Sequence, residues 1–522
     1  MRRVTGILLV MILAAGLVSV ISGSSLAEKG VPEGILNIIN DPLYKGSSWG
    51  ILVKDLESGE VVYQLNMEKL FVPASTTKLF TLSAGLDTFG PDYRFQTPIY
   101  RRGKVDSQGT LDGDLVLVAS GDLTMGGRTT PDGRIAYTNM DHTDAGMDGI
   151  FEAILTKPDP LAGLNELARQ VATSGIKYVK GDVIIDNRLF ETITSPAGIA
   201  RTPMVINDNI IDFIITPAKL GEKASVDYRP RTIAYQVEAE VETVSSNKEP
   251  QIEITSPSQG RIVARGEVPE GYQPVIRTYE IEDPASFART LLIEALARAD
   301  VKIEASPSGT NPSQKLPESG TYKEAERVAL LVSPPYKELV KLILKVSHNL
   351  GANITPFLIA VENGKKTLEE GLAIEGDIFR RMGIQTESIS ISDGAGGDRG
   401  DLISPEAVVQ LLSFMHKSPY FEYLHNALPI LGVDGSLTHF AVPDNAARGK
   451  VFAKTGTLIF GNLLNNSPVM IAKGLAGYMT TAKGRQLAFA LYVNNTPMKT
   501  VDDLGRIGND QGRICEVIYK DN

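Results

Sequence analysis

Ser75 and Lys78 supply a hydroxyl and an amine three residues apart, in the sequence Ser-Thr-Thr-Lys. Residues i and i+3 lie on the same face of a helix, so the lysine amine can reach the serine hydroxyl. A neutral lysine amine is a competent base that can remove the serine proton. Free backbone N–H groups at a helix start also stabilise a developing oxyanion. The spacing therefore predicts a serine nucleophile with lysine as its base.

The Ser-x-x-Lys spacing is not specific by itself, because residues 174–177 and 245–248 also match it. Sequence context separates the three matches, since only Ser75 follows a predicted β-hairpin and opens a predicted apolar helix. A Gly-x-Ser-x-Gly motif occurs at residues 46–50 and could mark the nucleophile elbow of a serine hydrolase. Such an elbow is a turn with a strand before it and a helix after it. A strand follows it here, so we interpret this motif as a chance match.

Ser347 and Asn349 form a Ser-x-Asn element far along the chain. A hydroxyl beside the catalytic lysine can relay a proton, and an amide offers a donor and an acceptor to a peptide backbone. The alternative interpretation is a polar helix end without a catalytic role.

Lys454 opens a Lys-Thr-Gly-Thr sequence that occurs once and belongs to a β-rich stretch. The edge of a strand can pair with an extended substrate, and Gly456 lets that substrate approach the backbone closely. The charge of Lys454 can hold a carboxylate. The alternative is a strand that ends in a tight turn. In this order, however, the three motifs form the signature of penicillin-binding serine enzymes.

Composition narrows the function classes. The chain has 522 residues, 43% of them hydrophobic, and a formal net charge of -10, which argues against nucleic acid as a main partner. Cys515 is the only cysteine, so no intrachain disulfide or cysteine-based zinc site is possible. The five histidines are scattered, and we expect neither a metal nor a cofactor. His142 lies in an acidic loop that could contact a cation, although a solvated turn is the favoured interpretation.

The first residues are typical of an export signal. Arg2 and Arg3 precede an apolar run over residues 7–21, and small residues at 25 and 27 suit cleavage before Glu28. An uncleaved membrane anchor is the alternative, but the run is shorter than the ~20 residues of a typical spanning helix. We therefore expect an exported protein of the periplasm or cell wall.

Periodicity predicts one α/β core whose N-terminal and C-terminal parts flank a largely β insertion at about residues 95–322. A stretch rich in Ser, Pro and Gly at residues 306–320 suggests a linker or exposed loop. The predicted strands are residues 49–56, 61–65, 115–118, 183–185, 450–457, 474–480 and 486–494. The predicted helices are residues 75–86, 287–299, 336–347, 367–382 and 405–416.

At this level of detail the chain resembles a known family, the D-alanyl-D-alanine carboxypeptidase/endopeptidases. These are class C low-molecular-mass penicillin-binding proteins of peptidase family S13, the penicillin-binding protein 4 type. The resemblance begins with residues 49–75 and includes the long gap between Ser75 and Ser347. Further landmarks lie at residues 113–124, 181–186, 207–209, 434–437 and 474–478.

The resemblance implies an α/β (α+β) fold with a transpeptidase core, in which an antiparallel sheet is flanked by helices and interrupted by a mostly β two-domain insertion. The implied divisions are a signal peptide at 1–27, a catalytic domain at 28–96 and 325–522, inserted domain II at 97–178 and 268–324, and inserted domain III at 179–267. The implied partners are peptidoglycan peptides and β-lactams, with no nucleic acid and at most peripheral membrane association.

The resemblance also implies roles for individual residues. Ser75 is acylated by the penultimate D-alanine carbonyl, and Lys78 is the general base. Ser347 relays a proton to the leaving amine, and Asn349 holds the substrate amide. The remaining implied roles belong to one strand: Lys454 and Thr455 hold the terminal carboxylate, Gly456 completes the substrate-binding edge, and the backbone N–H of Thr457 forms the oxyanion hole with that of Ser75.

Two departures from the family pattern bear on the substrate. The family's Asp-Gly-Ser-Gly element has Ala395 in place of its serine, so one hydroxyl is missing, and residues 459–472 resemble an insertion near the rim of the site. Two other functions stay open at this point: a β-lactamase or esterase on the same fold, and a non-catalytic cell-wall binding module.

Overall fold

The protein is described here by a computed structural model that covers residues 30–145, 152–194, 199–440 and 443–522. The predicted signal peptide lies outside the described residues. The α-helices of the described part are α1 (Glu33–Ile39), α2 (Lys78–Phe89), α3 (Ala162–Thr173), α4 (Pro284–Arg298), α5 (Tyr336–Lys345), α6 (Asn349–Glu362), α7 (Leu368–Arg381), α8 (Pro405–Lys417), α9 (Phe421–Ala427) and α10 (Asp502–Asp521).

Strands from the two ends of the chain form a five-stranded antiparallel sheet in the order β17-β18-β19-β1-β2. Strand β17 is therefore an edge strand. The five strands are β1 (Ser48–Asp55), β2 (Val61–Leu65), β17 (Val451–Asn462), β18 (Ser467–Thr480) and β19 (Gln486–Pro497).

Helices cover both faces of this sheet, which explains why β19 is almost continuously apolar. Its side chains alternate between the two faces. Ala490 belongs to the core shared with α2, α5, α6 and α8. Phe489 and Leu491 belong to the opposite core, which they share with Ile35 of α1 and Ile514 of α10. At ~25 cal/mol per Å² of buried apolar surface, these two cores supply much of the stabilisation of this part of the fold.

The intervening chain forms three further sheets, in agreement with the predicted β-rich insertion. One is a six-stranded sheet in the order β13-β5-β4-β3-β14 with β6 beside β4, and the others are β12-β7-β8 and β10-β11-β9. The predicted domain boundaries stay a prediction. These strands are β3 (Gln96–Val105), β4 (Thr110–Val118), β5 (Tyr178–Val179), β6 (Val183–Asp186), β7 (Ile210–Thr216), β8 (Ser225–Arg229), β9 (Gln236–Val244), β10 (Gln251–Ser258), β11 (Arg261–Pro269), β12 (Val275–Glu280), β13 (Lys302–Ile303) and β14 (Arg327–Val332).

A last pair of short strands, β15 (Ile389–Ser390) and β16 (Leu402–Ile403), brackets the loop that carries Ala395. The predicted insertion at residues 459–472 is an extension of the β17–β18 hairpin, which continues past the cavity described below. Among the described residues, no helix has the length and apolar character needed to cross a membrane.

Candidate active site

Ser75 lies on a short 3₁₀ helix, Ala74–Thr77, and α2 begins only at Lys78. The prediction of one α-helix from Ser75 onward is therefore wrong in its first turn. Ala74 has a left-handed φ of 47°, and its carbonyl oxygen packs against Gly396 so closely that an added Cβ would lie 2.0 Å away. Packing against this neighbouring loop holds the tighter turn, a constraint that local periodicity does not contain.

Lys78 is fully buried, and its Nζ contacts three oxygens. It donates to Ser75 Oγ at 2.7 Å, to Asn349 Oδ1 at 2.8 Å and to the Ala395 carbonyl oxygen at 3.1 Å. When the amine is neutral, the Ser75 hydroxyl donates across the same 2.7 Å contact, along which a lysine base can take up a serine proton. The structure therefore brings together Ser75, Lys78 and Asn349.

The Ser-x-Asn element joins α5 to α6. Ser347 has a left-handed φ of 62°, and the following His348 begins α6 by accepting a hydrogen bond at Nδ1 from the Gly351 N–H at 3.0 Å. This turn directs the hydroxyl of Ser347 to Lys454, whose Nζ donates to Ser347 Oγ at 2.9 Å. The segment contacts other residues of the site, so it is more than the polar helix end considered as the alternative.

The Lys-Thr-Gly sequence lies on the edge strand β17. Thr455 Oγ1 is 2.8 Å from Ser436 Oγ, and Lys454 Nζ also donates to the Thr455 carbonyl oxygen at 2.8 Å. An added Cβ on Gly456 would lie 2.4 Å from the Pro73 carbonyl oxygen and 3.2 Å from the Ser75 nitrogen. Only glycine lets this strand approach Ser75 so closely.

The loop that carries Ala395, where the family pattern has a serine, reaches the site through its backbone. Asp393 Oδ1 accepts hydrogen bonds from the N–H groups of Ala395 and Gly396 at 2.9 and 2.6 Å. These bonds hold the loop in the shape that presents the Ala395 carbonyl to Lys78. The loop therefore contacts the lysine without the serine hydroxyl of the family pattern.

These elements surround a cavity of about 200 Å³. Of the predicted site residues, Ser75, Ser347, Asn349, Thr455 and Thr457 line it. Sequence reasoning missed other lining residues, including Ser436, His439 and Lys473. A signal for Lys473 was present, because a lysine inside the apolar strand β18 is unusual unless it has a partner or a function.

His142 is buried rather than solvated, so the favoured interpretation of its loop is wrong. Its Nδ1 is 2.7 Å from Asp212 Oδ1, and its Nε2 is 2.7 Å from Asp208 Oδ2. Burial opposes the charged imidazolium, but the two carboxylates outweigh that effect and raise the pKa of His142 to about 10.

Asp141, His142 and Asp208 bring their ligand atoms close enough together to suit a metal ion. A protein cation already occupies this position. Arg128 Nη1 lies 2.7 Å from Asp141 and its Nη2 lies 2.7 Å from Asp208. The cluster is therefore a buried ion-pair network.

The other serine motifs lie in structural settings. Ser174 ends α3, and its hydroxyl donates to the Val171 carbonyl at 2.6 Å. Lys248 forms an ion pair with Glu267 on strand β11. The Gly-x-Ser-x-Gly segment runs into strand β1, which begins at Ser48, so no helix follows it.

A serine in contact with a lysine, a Ser-x-Asn turn and a Lys-Thr-Gly edge strand meet at one cavity beside an antiparallel sheet. Together they define the class: a serine enzyme of the Ser-x-x-Lys type, which includes penicillin-binding proteins and β-lactamases. The chain matches the model of the D-Ala-D-Ala carboxypeptidase 3 (S13) family over residues 32–508, and it belongs to this family. The resemblance found in the sequence is thereby confirmed, and membership places the protein among serine peptidases that act on peptidoglycan.

Curated relatives agree with this assignment. A D-alanyl-D-alanine carboxypeptidase of an Actinomadura species is 27% identical, over 91% of this chain and 82% of the relative. The D-alanyl-D-alanine carboxypeptidase DacB of Haemophilus influenzae is 23% identical, over 87% of each chain.

A crystal structure of penicillin binding protein 4 from Haemophilus influenzae superposes with a TM-score of 0.68 at 20% identity, covering 93% of this chain and 99% of that one. A second structure of the same protein, in complex with a β-lactam, gives a TM-score of 0.66. The predicted fold class, a penicillin-binding core with a large insertion, is confirmed.

Proposed function

We propose that the protein removes the terminal D-alanine from peptidoglycan stem peptides through an acyl-enzyme on Ser75. Ser75 Oγ attacks the carbonyl carbon of the penultimate D-alanine while its proton passes to the neutral amine of Lys78. The observation that carries the proposal is the 2.7 Å contact between Lys78 Nζ and Ser75 Oγ. In the same proposal, the backbone N–H groups of Ser75 and Thr457 receive the oxyanion.

Collapse of this intermediate breaks the bond to the terminal D-alanine, whose nitrogen gains a proton through Ser347. The contact from Lys454 Nζ to Ser347 Oγ supports this role, because it orients the hydroxyl and can renew its proton. Asn349 lies beside Lys78 and lines the cavity, where its amide can hold the substrate backbone. Water then adds to the acyl carbon, releases the peptide and restores Ser75.

The substrate enters as an extended strand along the edge of β17 beyond Ala453, whose N–H already pairs with the Pro429 carbonyl oxygen. There Thr455, Gly456 and Thr457 provide the binding surface. A cross-linked peptide presents the same D-alanyl carbonyl, so endopeptidase activity on cross-links belongs to the proposal. β-Lactams acylate Ser75 in the same position and inhibit the enzyme. Because residues 1–27 have the pattern of a cleaved signal, the site of action is the periplasm or cell wall.

Acylation by a labelled penicillin tests the nucleophile. Wild type is expected to become covalently labelled, whereas Ser75→Ala is not. Ser245→Ala is the matched control, because it removes a serine with the same Ser-x-x-Lys spacing in another part of the chain. Equal labelling of wild type and Ser75→Ala would refute the assignment of Ser75.

Mass spectrometry of a defined muropeptide mixture then separates the activities. Loss of one alanine from a pentapeptide reports carboxypeptidase activity, and conversion of a cross-linked dimer to monomers reports endopeptidase activity. Rapid turnover of a β-lactam without release of D-alanine would instead identify a β-lactamase.

A further inference from the structure

Lys473 of strand β18 lies on the wall of the active-site cavity although its side chain is 1% exposed. It pairs with Thr457 across the β17–β18 ladder, and its Nζ donates to Thr457 Oγ1 at 2.7 Å. The ring of Phe440 covers the ammonium, with Nζ 4.1 Å from the ring centroid. One hydroxyl and one aromatic face are thus the contacts of this ammonium.

No carboxylate of the described residues contacts the Lys473 ammonium. A buried lysine without a counter-ion loses much of its hydration, and this burial lowers the pKa of Lys473 to about 7. An ammonium in this setting is stabilised by any anion that reaches it. Because the side chain borders the cavity, a ligand bound there can supply that anion.

Lys454, the residue to which the family pattern assigns the carboxylate, lies differently. It is fully buried, and its Nζ donates to Ser347 Oγ and to the Thr455 carbonyl oxygen. It is not among the residues that line the cavity, whereas Lys473 is the only lysine or arginine of the described residues that lines it. His439 is the other basic side chain on that wall.

The contact with Thr457 fixes the direction of a second donor. An ammonium has three donors and no acceptor, so Thr457 Oγ1 must accept the hydrogen bond from protonated Lys473. The Thr457 hydroxyl proton is then available to another acceptor, and Thr457 itself lines the cavity. A charged donor and a hydroxyl donor therefore lie side by side, which suits the two oxygens of a carboxylate.

We propose that Lys473 is a substrate-binding residue, and that its ammonium, together with the Thr457 hydroxyl, receives the terminal carboxylate of the D-alanyl-D-alanine peptide. In this arrangement Lys454 orients Ser347, and Lys473 supplies the charge that distinguishes a free C-terminus from a blocked one. The inference rests on the proposed carboxypeptidase function and adds the residue that selects its substrate.

The test compares two peptides that differ only at the C-terminus: one ends in D-alanyl-D-alanine and the other in D-alanyl-D-alaninamide. Lys473→Met keeps the length of the side chain but removes its charge. We expect kcat/KM for the free acid to fall about 10- to 100-fold, mainly through KM, while kcat/KM for the amide changes less than about twofold. Lys473→Arg is expected to restore part of the preference for the free acid.

Lys450→Met is the matched control, since it removes a lysine charge from an exposed position just before strand β17. It should leave kcat/KM for both peptides unchanged. Labelling by a fluorophosphonate, which carries no carboxylate, checks that Ser75 is still reactive in the Lys473→Met variant. Equal loss on both peptides, or no loss on either, would overturn the role of Lys473. Failure of wild type to cleave either peptide would instead overturn the proposed function.

Discussion

Asp208 Oδ1 lies 3.1 Å from Nε2 of His348, the residue between Ser347 and Asn349. On the other side of the ring, His348 Nδ1 accepts the Gly351 N–H at the start of α6. Asp208 precedes strand β7 of the insertion, and its other oxygen contacts Arg128 and His142. A buried charge network of the insertion thus contacts the turn that presents the Ser-x-Asn residues.

Asp208→Asn is expected to slow acylation and to destabilise the protein. Burial opposes the charge of Asp208, but Arg128 and the neighbouring histidines outweigh it and hold the pKa of Asp208 well below its usual range. Removing one member of a buried ion pair costs about 3–5 kcal/mol because the remaining charge lacks its partner. Penicillin acylation rates and thermal unfolding check both effects.

Asp227→Asn is the control for this variant, because it removes a carboxylate from an exposed ion pair with Arg231. Its unfolding free energy should change by less than about 0.5 kcal/mol. Normal acylation by folded Asp208→Asn would show that the network does not position the Ser-x-Asn turn.

The network also predicts a pH dependence of stability. The pKa of His142 is about 10 in the folded protein against an ordinary value of 6.5. Its stabilising contribution is therefore complete below pH 6.5 and is lost as the pH rises through 10. Wild type should lose on the order of 3–4 kcal/mol relative to His142→Gln between pH 7 and 10. Parallel unfolding curves of the two proteins over this range would contradict the prediction.

Gly456→Ala is expected to reduce acylation by about 100-fold, because misplacing a nucleophile by ~1 Å has an effect of that size. The new Cβ would lie 2.4 Å from the Pro73 carbonyl oxygen, and relief of that overlap displaces the backbone next to Ser75. Gly461→Ala on the same strand is the matched control, since its Cβ would meet no atom within 4 Å. Stopped-flow penicillin acylation compares them, and similar rates would refute the steric role of Gly456.

Glu375→Gln is expected to stabilise the protein at alkaline pH. Both carboxylate oxygens of Glu375 are buried without a hydrogen-bond partner in the described residues, and burial raises its pKa to about 8. The folded state keeps a proton that the unfolded state releases above about pH 4.5, so stability falls as the pH rises to 8.

The stabilisation of Glu375→Gln over wild type should therefore grow between pH 5 and 8 by on the order of 3–4 kcal/mol. Thermal unfolding as a function of pH measures it. Glu369→Gln, at an exposed position of the same helix, should show no such trend. A constant difference between Glu375→Gln and wild type would contradict the prediction.

Elements with a strong local signal were predicted closely. Helix α7 was predicted at 367–382 and observed at Leu368–Arg381, where Thr367 and Glu370 form a capping box. Helix α8 begins after Ser404, whose side chain accepts a hydrogen bond from Ala407 N–H. Caps and amphipathic periodicity act within a few residues, so the sequence alone contains them.

Five of the ten described helices were not predicted, namely α1, α3, α6, α9 and α10, and two of them show why. Helix α6 is buried around most of its circumference, so its sequence lacks the polar face that marks an amphipathic helix. Helix α10 does have a helical stripe at Leu504, Ile507, Ile514 and Ile518, which could have indicated it. Helix α6 packs against α2 and α7, and α10 packs against α1 and β18, so contacts with distant parts of the chain fix their places in the fold.

The sequence by itself determined the chemical groups and their order: a serine with a lysine three residues later, then the Ser-x-Asn and Lys-Thr-Gly elements. Residue types and spacings are local properties, and they sufficed to indicate the family. Only the tertiary structure decided that Lys78 contacts Asn349, that Asp208 lies beside His348, and that Lys473 borders the cavity. Each of these contacts joins residues distant in the chain, and burial and pairing fix them only after the sheet and helices have packed.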